Sequence, residues 1–156
     1  MIPKNTLEKL NLLPASAAPF LSFIQSNHKP LSEEYTHLPS EYNDYIYIGS
    51  DDIGNPICLK LSDEKIHNPD HENNFTPSYM NLNINHLLEF LEIYKGHIET
   101  ILTEFGDDAF IESQYPVERI SRLEEKFKAT DPEAIEDNTF RKFVLVTDKA
   151  NWEYEH

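Results

Sequence analysis

Cysteine and long apolar stretches are scarce in this sequence, and each scarcity excludes a class of protein. Cys58 is the only cysteine among 156 residues, which excludes an internal disulfide and a zinc site built from several cysteines. A lone thiol suits the reducing cytosol, and its apolar neighbours Ile57 and Leu59 are typical of a buried strand. No apolar segment approaches the roughly 20 residues that span a bilayer. We therefore expect a cytoplasmic protein that does not bind membranes.

Basic residues are also few, which bears on the kind of partner. The chain has 13 Lys and Arg against 28 Asp and Glu, a formal net charge of −15. Residues 41–110 hold 14 of the acids and 3 Lys, so the negative charge is concentrated there. Nucleic acids and anionic membranes are bound through Lys and Arg, so we expect neither as a partner. A basic protein fits better, although acidity that serves only solubility is the alternative.

Glycine is scarce as well, and the loops of several enzyme classes are missing. Among four glycines there is no G-x-S-x-G motif, no glycine-rich phosphate loop and no dinucleotide fingerprint. The neighbouring Asp107 and Asp108 could act as general acid and base, but two acids directly after a helix stop favour a solvated loop. We expect a protein that is not an enzyme.

One histidine cluster has the composition of a metal site. His67 and His71 are spaced as zinc ligands on a helix, with Asp70 and Glu72 beside them. The residues between the histidines, 68–70, have turn composition, so a solvated loop is the better interpretation. The acids at 51–52 lack the ligand number and closing Glu of a calcium loop and also favour a turn. We expect neither a metal nor a cofactor.

The amino-terminal third is rich in proline. Apolar spacing predicts a helix over residues 6–13, which Pro14 ends. Three further prolines, at positions 19, 30 and 39, argue against a central strand. Phe20, Leu21, Phe23 and Ile24 are too hydrophobic to remain exposed, so we expect an extended edge segment packed on the core.

Strand signals follow from residue 42. Alternation at 45–48 predicts a strand that ends at Gly49, residues 50–55 have turn composition, and 57–61 predict the return strand of a β-hairpin. A second turn at 62–65 leads to a short strand at 66–67, and a fourth strand is predicted at 75–80. These elements predict an antiparallel meander.

Helix signals dominate the remainder. Asn83 is predicted to cap a long helix that Gly106 stops after Phe105. Pro116 opens another helix, and residues 131–135 form a short one. The last segment, 140–152, fits helix or strand, and we favour helix. We therefore expect one α+β domain over residues 1–156, with an antiparallel meander of about four or more strands packed on one face by helices.

Four stretches of the sequence resemble the SUKH superfamily, whose domains are similar to the yeast cell-wall-synthesis regulator and are widespread as bacterial immunity proteins. They are LLPASAAPFLSF at 12–23, YIGSDDIGNPICL at 47–59, MNLNI at 80–84 followed by LLEFL at 87–91, and DPEAI at 131–135. Leu82 and Asn83 stand where the family has serines. The resemblance covers nearly the whole chain and rests on the order and spacing of the four stretches.

This resemblance implies a cytoplasmic, non-enzymatic protein that binds and neutralises a bacterial toxin domain, often a nuclease or deaminase, encoded nearby. A toxin that grips nucleic acid must expose Lys and Arg, which an acidic face can cover. Tyrosines interleaved with acids can anchor such an interface, although strand tyrosines are often half-buried sheet residues. The alternative is an intracellular scaffold of the same fold with an endogenous partner. The candidate partner-binding residues are Asp51, Asp52, Asp63, Glu64, Asp70, Glu72, Tyr45, Tyr47 and Tyr79.

Overall fold

The strands lie in the first part of the chain, and the longest helices follow them. The computed structural model describes residues 2–18, 20–112 and 115–136. It divides inside its longest helix into two compact units, the first ending at Leu88 and the second beginning at Glu89. All strands of the described chain belong to the first unit. The α+β class expected from the sequence is confirmed.

Seven short strands form one antiparallel sheet. They are β1 (Ser16–Ala17), β2 (Leu21–Phe23), β3 (Lys29–Pro30), β4 (Tyr45–Ser50), β5 (Pro56–Lys60), β6 (Ile66–His67) and β7 (Tyr79–Asn81). Their order in the sheet is β1-β2-β4-β5-β6-β7, and β3 also pairs with β4. The predicted hairpin of β4 and β5 and the short third strand of the meander, β6, are confirmed. The predicted fourth strand at 75–80 is wrong in its start, because Phe75 has a φ of +55° and only Tyr79–Asn81 is extended.

The amino-terminal third differs from its prediction. The predicted helix is present as α1 (Lys4–Leu10), and it begins and ends earlier than expected. The expected edge segment instead contains β1, β2 and β3, and β2 lies between β1 and β4. A short helix, α2 (Leu31–Glu34), and a 3-10 helix (Ser40–Asp44) follow. The prolines do not block the pairing, because β2 contains none and Pro30 lies in β3, which pairs with β4 over only two residues.

Gly49 allows β2 to lie close to β4. A Cβ atom at this position would be 2.2 Å from the carbonyl oxygen of Ser22 on β2. The pairing of β4 with β5 also shifts between Tyr47 and Gly49. Because backbone atoms of a neighbouring strand cannot move aside as a flexible side chain can, any other residue here would separate the two strands.

The two faces of the central strands differ. Ile46, Leu59 and Ile66 are aligned across β4, β5 and β6, and all three are buried on one face. The opposite face carries a small cluster in which the Tyr42 hydroxyl donates a hydrogen bond to the carbonyl of Phe75 over 3.1 Å. The buried members of this cluster are Leu31, Tyr42, Cys58 and Phe75. Tyr45 and Tyr47 pack against this cluster and are only half-buried.

The longest helix, α3 (Ile84–Phe105), starts at the predicted cap. The Asn83 side-chain oxygen accepts a hydrogen bond from the backbone N–H of His86 at 2.9 Å. Gly106 has a φ of +85° and ends the helix, as predicted.

Helices fill the second unit. Asp107 and Asp108, predicted to lie in a loop, form the first turn of α4 (Asp107–Ile111), where acidic side chains are favoured by the helix dipole. The predicted helix after Pro116 is α5 (Val117–Thr130), and Pro132–Ile135 is a 3-10 helix at the predicted place.

Aromatic contacts hold the helices of this unit together. The rings of Phe90 on α3 and Phe127 on α5 are stacked with centroids 4.4 Å apart. The edge of the buried His97 ring meets Tyr115 at 5.5 Å. The second unit thus has its own apolar contacts between helices distant in sequence.

Two predictions concern stretches beyond these elements. The expected helix at 140–152 lies outside the described residues. Within the part of the chain that the structure describes, no helix combines the length and apolar character needed to cross a membrane.

Candidate partner-binding site

Three connections between strands meet at one end of the sheet. Ser22 pairs with Ser50, so the β1–β2 turn and the β4–β5 loop leave the sheet in the same direction. Cys58 pairs with His67, so the β6–β7 connection leaves there too. We call Phe20, residues 51–55 and residues 68–78 the loop end. This end carries four of the six acids proposed from the sequence.

Asp51 holds the β4–β5 loop closed. Its Oδ1 atom accepts hydrogen bonds from the backbone N–H groups of Ile53 (3.1 Å) and Asn55 (2.9 Å). Its Oδ2 atom accepts one from the side-chain amide of Asn68 at 3.4 Å. The residue is only 7% exposed. The carboxylate of Asp51 is thus directed into the protein, although the sequence placed it among the partner-binding residues.

A second set of hydrogen bonds joins the β4–β5 loop to the β6–β7 connection. The amide of Asn68 donates to the carbonyl of Pro56 at 3.0 Å. The backbone N–H of His71 donates to the side-chain oxygen of Asn55, also at 3.0 Å. Gly54 lies beside the His71 ring and has a φ of +92°, a conformation that favours glycine. The two loops therefore form one connected surface.

The remaining acids of the loop end face solvent. Asp52 and Glu72 are exposed, and within the described residues no hydrogen bond or ion pair engages either carboxylate. Asp70 is partly exposed, and its Oδ1 atom accepts a hydrogen bond from the backbone N–H of Glu72 at 3.0 Å. Exposed carboxylates without a partner add little to stability and are available to a cation.

Asp63 and Glu64 lie at the opposite end of the sheet, in the turn between β5 and β6. Asp63 is exposed and accepts a hydrogen bond from the backbone N–H of Lys65 at 2.9 Å. Glu64 accepts a hydrogen bond from the Thr6 hydroxyl at 2.9 Å and pairs with Lys9 at 3.8 Å. We call residues 61–65 the turn end. The structure therefore separates the six proposed acids into two groups rather than one patch.

The three proposed tyrosines share the face of the sheet that holds the small cluster. Tyr47, Cys58, His67 and Tyr79 are aligned across β4 to β7, and Tyr45 is two residues along from Tyr47. All three tyrosines are half-buried. They are half-buried sheet residues that keep some exposed surface, and their role in binding a partner stays a prediction.

His67 lies between two of these tyrosines. Its ring centroid is 5.6 Å from that of Tyr45 and 6.5 Å from that of Tyr79, both edge-on. Neither ring nitrogen has a hydrogen-bond partner among the described residues. Burial is the main cause that lowers the pKa of His67, and burial likewise raises the pKa of the Tyr45 hydroxyl. The imidazole is therefore kept neutral at physiological pH.

The histidine cluster does not form the helix that zinc binding would need. His67 belongs to β6, whereas His71 lies in a turn. The described residues contain no group of three or more His, Cys, Asp or Glu side chains arranged to hold a metal ion.

Two exposed apolar residues were missed by the sequence reasoning. Phe20, expected to pack on the core, is 72% exposed, and Ile53 in the β4–β5 loop is 64% exposed. The prediction for Phe20 is wrong because the residue lies in the β1–β2 turn, after the strand has ended. The apolar Ile53 inside an otherwise polar loop was the available signal for this second residue.

The described chain is an acidic α+β protein whose loops present carboxylates and apolar side chains at one end of an antiparallel sheet. Its sequence matches the model of the SUKH-4 immunity protein family over residues 8–143. The chain belongs to this family, which confirms the superfamily resemblance. Searches of curated proteins and of solved structures gave no match.

Proposed function

We propose that this chain is a non-enzymatic immunity protein that neutralises a toxin domain by binding it through the acids of the loop end. The observation that carries the proposal is the pair of exposed carboxylates of Asp52 and Glu72, which nothing among the described residues engages, in a member of an immunity protein family. Asp70 lies beside them. The partner is a basic toxin domain encoded nearby, and binding takes place in the cytoplasm without nucleic acid or membrane.

Charge gives this end of the sheet its proposed role. Carboxylates that have no partner among the described residues lose little on meeting Lys or Arg, because no ion pair described there must be broken. The net charge of −15 also attracts a basic protein over distance and raises the association rate. Salt should weaken this attraction, since charges farther apart than about 8 Å are screened at physiological ionic strength.

The tyrosine-bearing face supplies a second contact region in this proposal. Tyr79 follows the β6–β7 connection directly, and Tyr47 is aligned with it across the sheet. Half-buried tyrosines lose little side-chain freedom on binding. Tyr45 is nearer the turn end, where Glu64 is already engaged by Lys9. The contact is therefore centred on the loop end.

Co-expression tests the function. This chain is produced together with the polypeptide encoded immediately upstream, and cell survival is scored. The wild-type chain should rescue growth, and the purified pair should form a complex that weakens with salt. Absence of rescue and of a complex would contradict the immunity function and favour the scaffold alternative.

Charge reversal tests the face. The double variant D52K/E72K should slow association by about tenfold or more at low salt. The matched control, E41K/D63K, changes the net charge equally and alters the opposite end of the sheet, because Glu41 precedes β4 and Asp63 lies in the turn end. An equally slowed association in both double variants would indicate a general charge effect. Slower association in the control alone would place the contact at the turn end instead.

A further inference from the structure

We propose that Phe20 and Ile53 are the apolar anchors of the loop end, and that they insert into an apolar pocket bordered by Lys and Arg on the toxin domain. This inference rests on the proposed function and names the residues that determine how long the complex lasts. They are the two most exposed large apolar side chains in the described chain, at 72% and 64%.

The strand register places both anchors at the same end of the sheet. Ser22 on β2 pairs with Ser50 on β4. Phe20 precedes Ser22 by two residues, and Ile53 follows Ser50 by three. Neighbouring antiparallel strands lie about 4.8 Å apart, so the two turns leave the sheet side by side. One partner surface can therefore contact both residues.

The backbone at Phe20 indicates that the aromatic side chain is there for a reason other than folding. Phe20 has a φ of +59°, in the left-handed region that glycine adopts without penalty and other residues do not. With most of its side chain in water, Phe20 gains little burial to offset this conformation. A bulky residue held in strain at an exposed turn is typical of a binding position.

Ile53 is presented on a rigid loop. Its backbone N–H donates to Asp51 Oδ1 at 3.1 Å, and Asp51 is itself tied to Asn68. A side chain carried by a fixed backbone loses less entropy on binding than one on a mobile loop. Apolar anchors of this kind are typical of the residues that dominate an interface.

The charges around the anchors specify the partner. Asp52 adjoins Ile53, and Asp70 and Glu72 belong to the connected loop. An apolar centre surrounded by carboxylates matches a pocket surrounded by Lys and Arg. A second copy of this chain is a poor occupant, because the same three acids would face one another at close range.

The dissociation rate constant tests the anchors. F20G, F20A and I53S are compared with the wild-type chain in binding to the polypeptide encoded immediately upstream, measured by biolayer interferometry. Each should raise koff about 30-fold and change kon little, since truncating a central anchor typically costs about 2 kcal/mol. L12S is the matched control, because Leu12 is 62% exposed but lies in the turn after α1, before β1. It should bind as the wild type does.

Thermal unfolding separates a binding role from a structural one. F20G should unfold about 2–4 °C above F20A, because glycine relieves the strained backbone. Both variants should nevertheless lose binding equally. A koff within twofold of the wild-type value in F20G would overturn the inference, as would a loss of binding that follows a loss of stability.

Light scattering on the chain alone tests whether a second copy of the chain occupies the anchors. A wild-type dimer that F20G converts to a monomer would show that a second copy occupies the anchors and would overturn the inference. Failure of the wild-type chain to bind would overturn the proposed function and this inference together. Binding that D52K/E72K weakens and F20G does not would overturn the anchors alone.

Discussion

Replacing Asp51 should destabilise the protein, whereas replacing its neighbour Asp52 should not. In D51A, the buried backbone N–H of Asn55 loses its acceptor at 2.9 Å, and the amide of Asn68 loses its contact at 3.4 Å. An orphaned buried donor costs about 1–3 kcal/mol, and bonds to a charged acceptor are at the upper end of the usual range. We expect the free energy of unfolding to fall by about 2–3 kcal/mol, which lowers Tm by about 4–12 °C.

The assay is urea unfolding followed by circular dichroism. D51N keeps an oxygen at the position of Oδ1 and should recover at least half of the loss, whereas D52A should stay within about 0.5 kcal/mol of the wild type. The order should reverse for binding, because D52A should bind the toxin domain more weakly than the folded fraction of D51A does. A loss below about 0.5 kcal/mol in D51A, or equal losses in D51A and D52A, would refute the role assigned to the buried carboxylate.

Three further results are expected. G49A should lower the free energy of unfolding by more than about 2 kcal/mol, because its Cβ would meet the Ser22 carbonyl. G96A, with open space on α3, should raise it by about 0.5–1 kcal/mol. A change of the same sign in both variants would contradict this reasoning. Burial lowers the pKa of His97 to about 4, below the value near 6.5 of an unfolded chain, so the unfolded state binds the extra proton between these pH values. Stability should therefore fall as pH falls from 6.5 towards 4, and H97Q should show a shallower fall in pH-dependent unfolding; an unchanged slope would exclude His97 as its source. Burial raises the pKa of the Cys58 thiol, so a thiol reagent should label it only after unfolding, and rapid labelling of the native protein would show that β5 opens.

The elements that the sequence predicted well are those with strong local signals. The alternating residues before Gly49, the turn after it and the Asn83 cap each specify structure within a few neighbouring residues. The short helix after Gly106 was missed because it has only about one turn and too few apolar residues to show a period. Its first-turn acids, Asp107 and Asp108, were the signal that a helix begins there.

The composition of the candidate site depended on contacts that no local pattern contains. Asp51 and Asp52 are identical neighbours, yet closure of the loop onto Asn55 buries one and exposes the other. Glu64 becomes engaged only because α1 brings Lys9 to it. Phe20 is exposed because β2 begins one residue later. The assignment of these residues requires the register of the sheet, which is set by pairing between distant strands.

Under the proposed function, the residues that fix the loops of the loop end differ from those that contact the partner, so specificity can change while the fold is kept. Asp51, Asn55 and Asn68 fix the two loops, whereas Phe20 and the exposed positions 52, 53 and 72 project from them without holding the sheet together. Exposed loop positions on a rigid sheet tolerate substitution. A combinatorial library that randomises these four positions and retains the three framework residues should yield folded variants directed to new toxins.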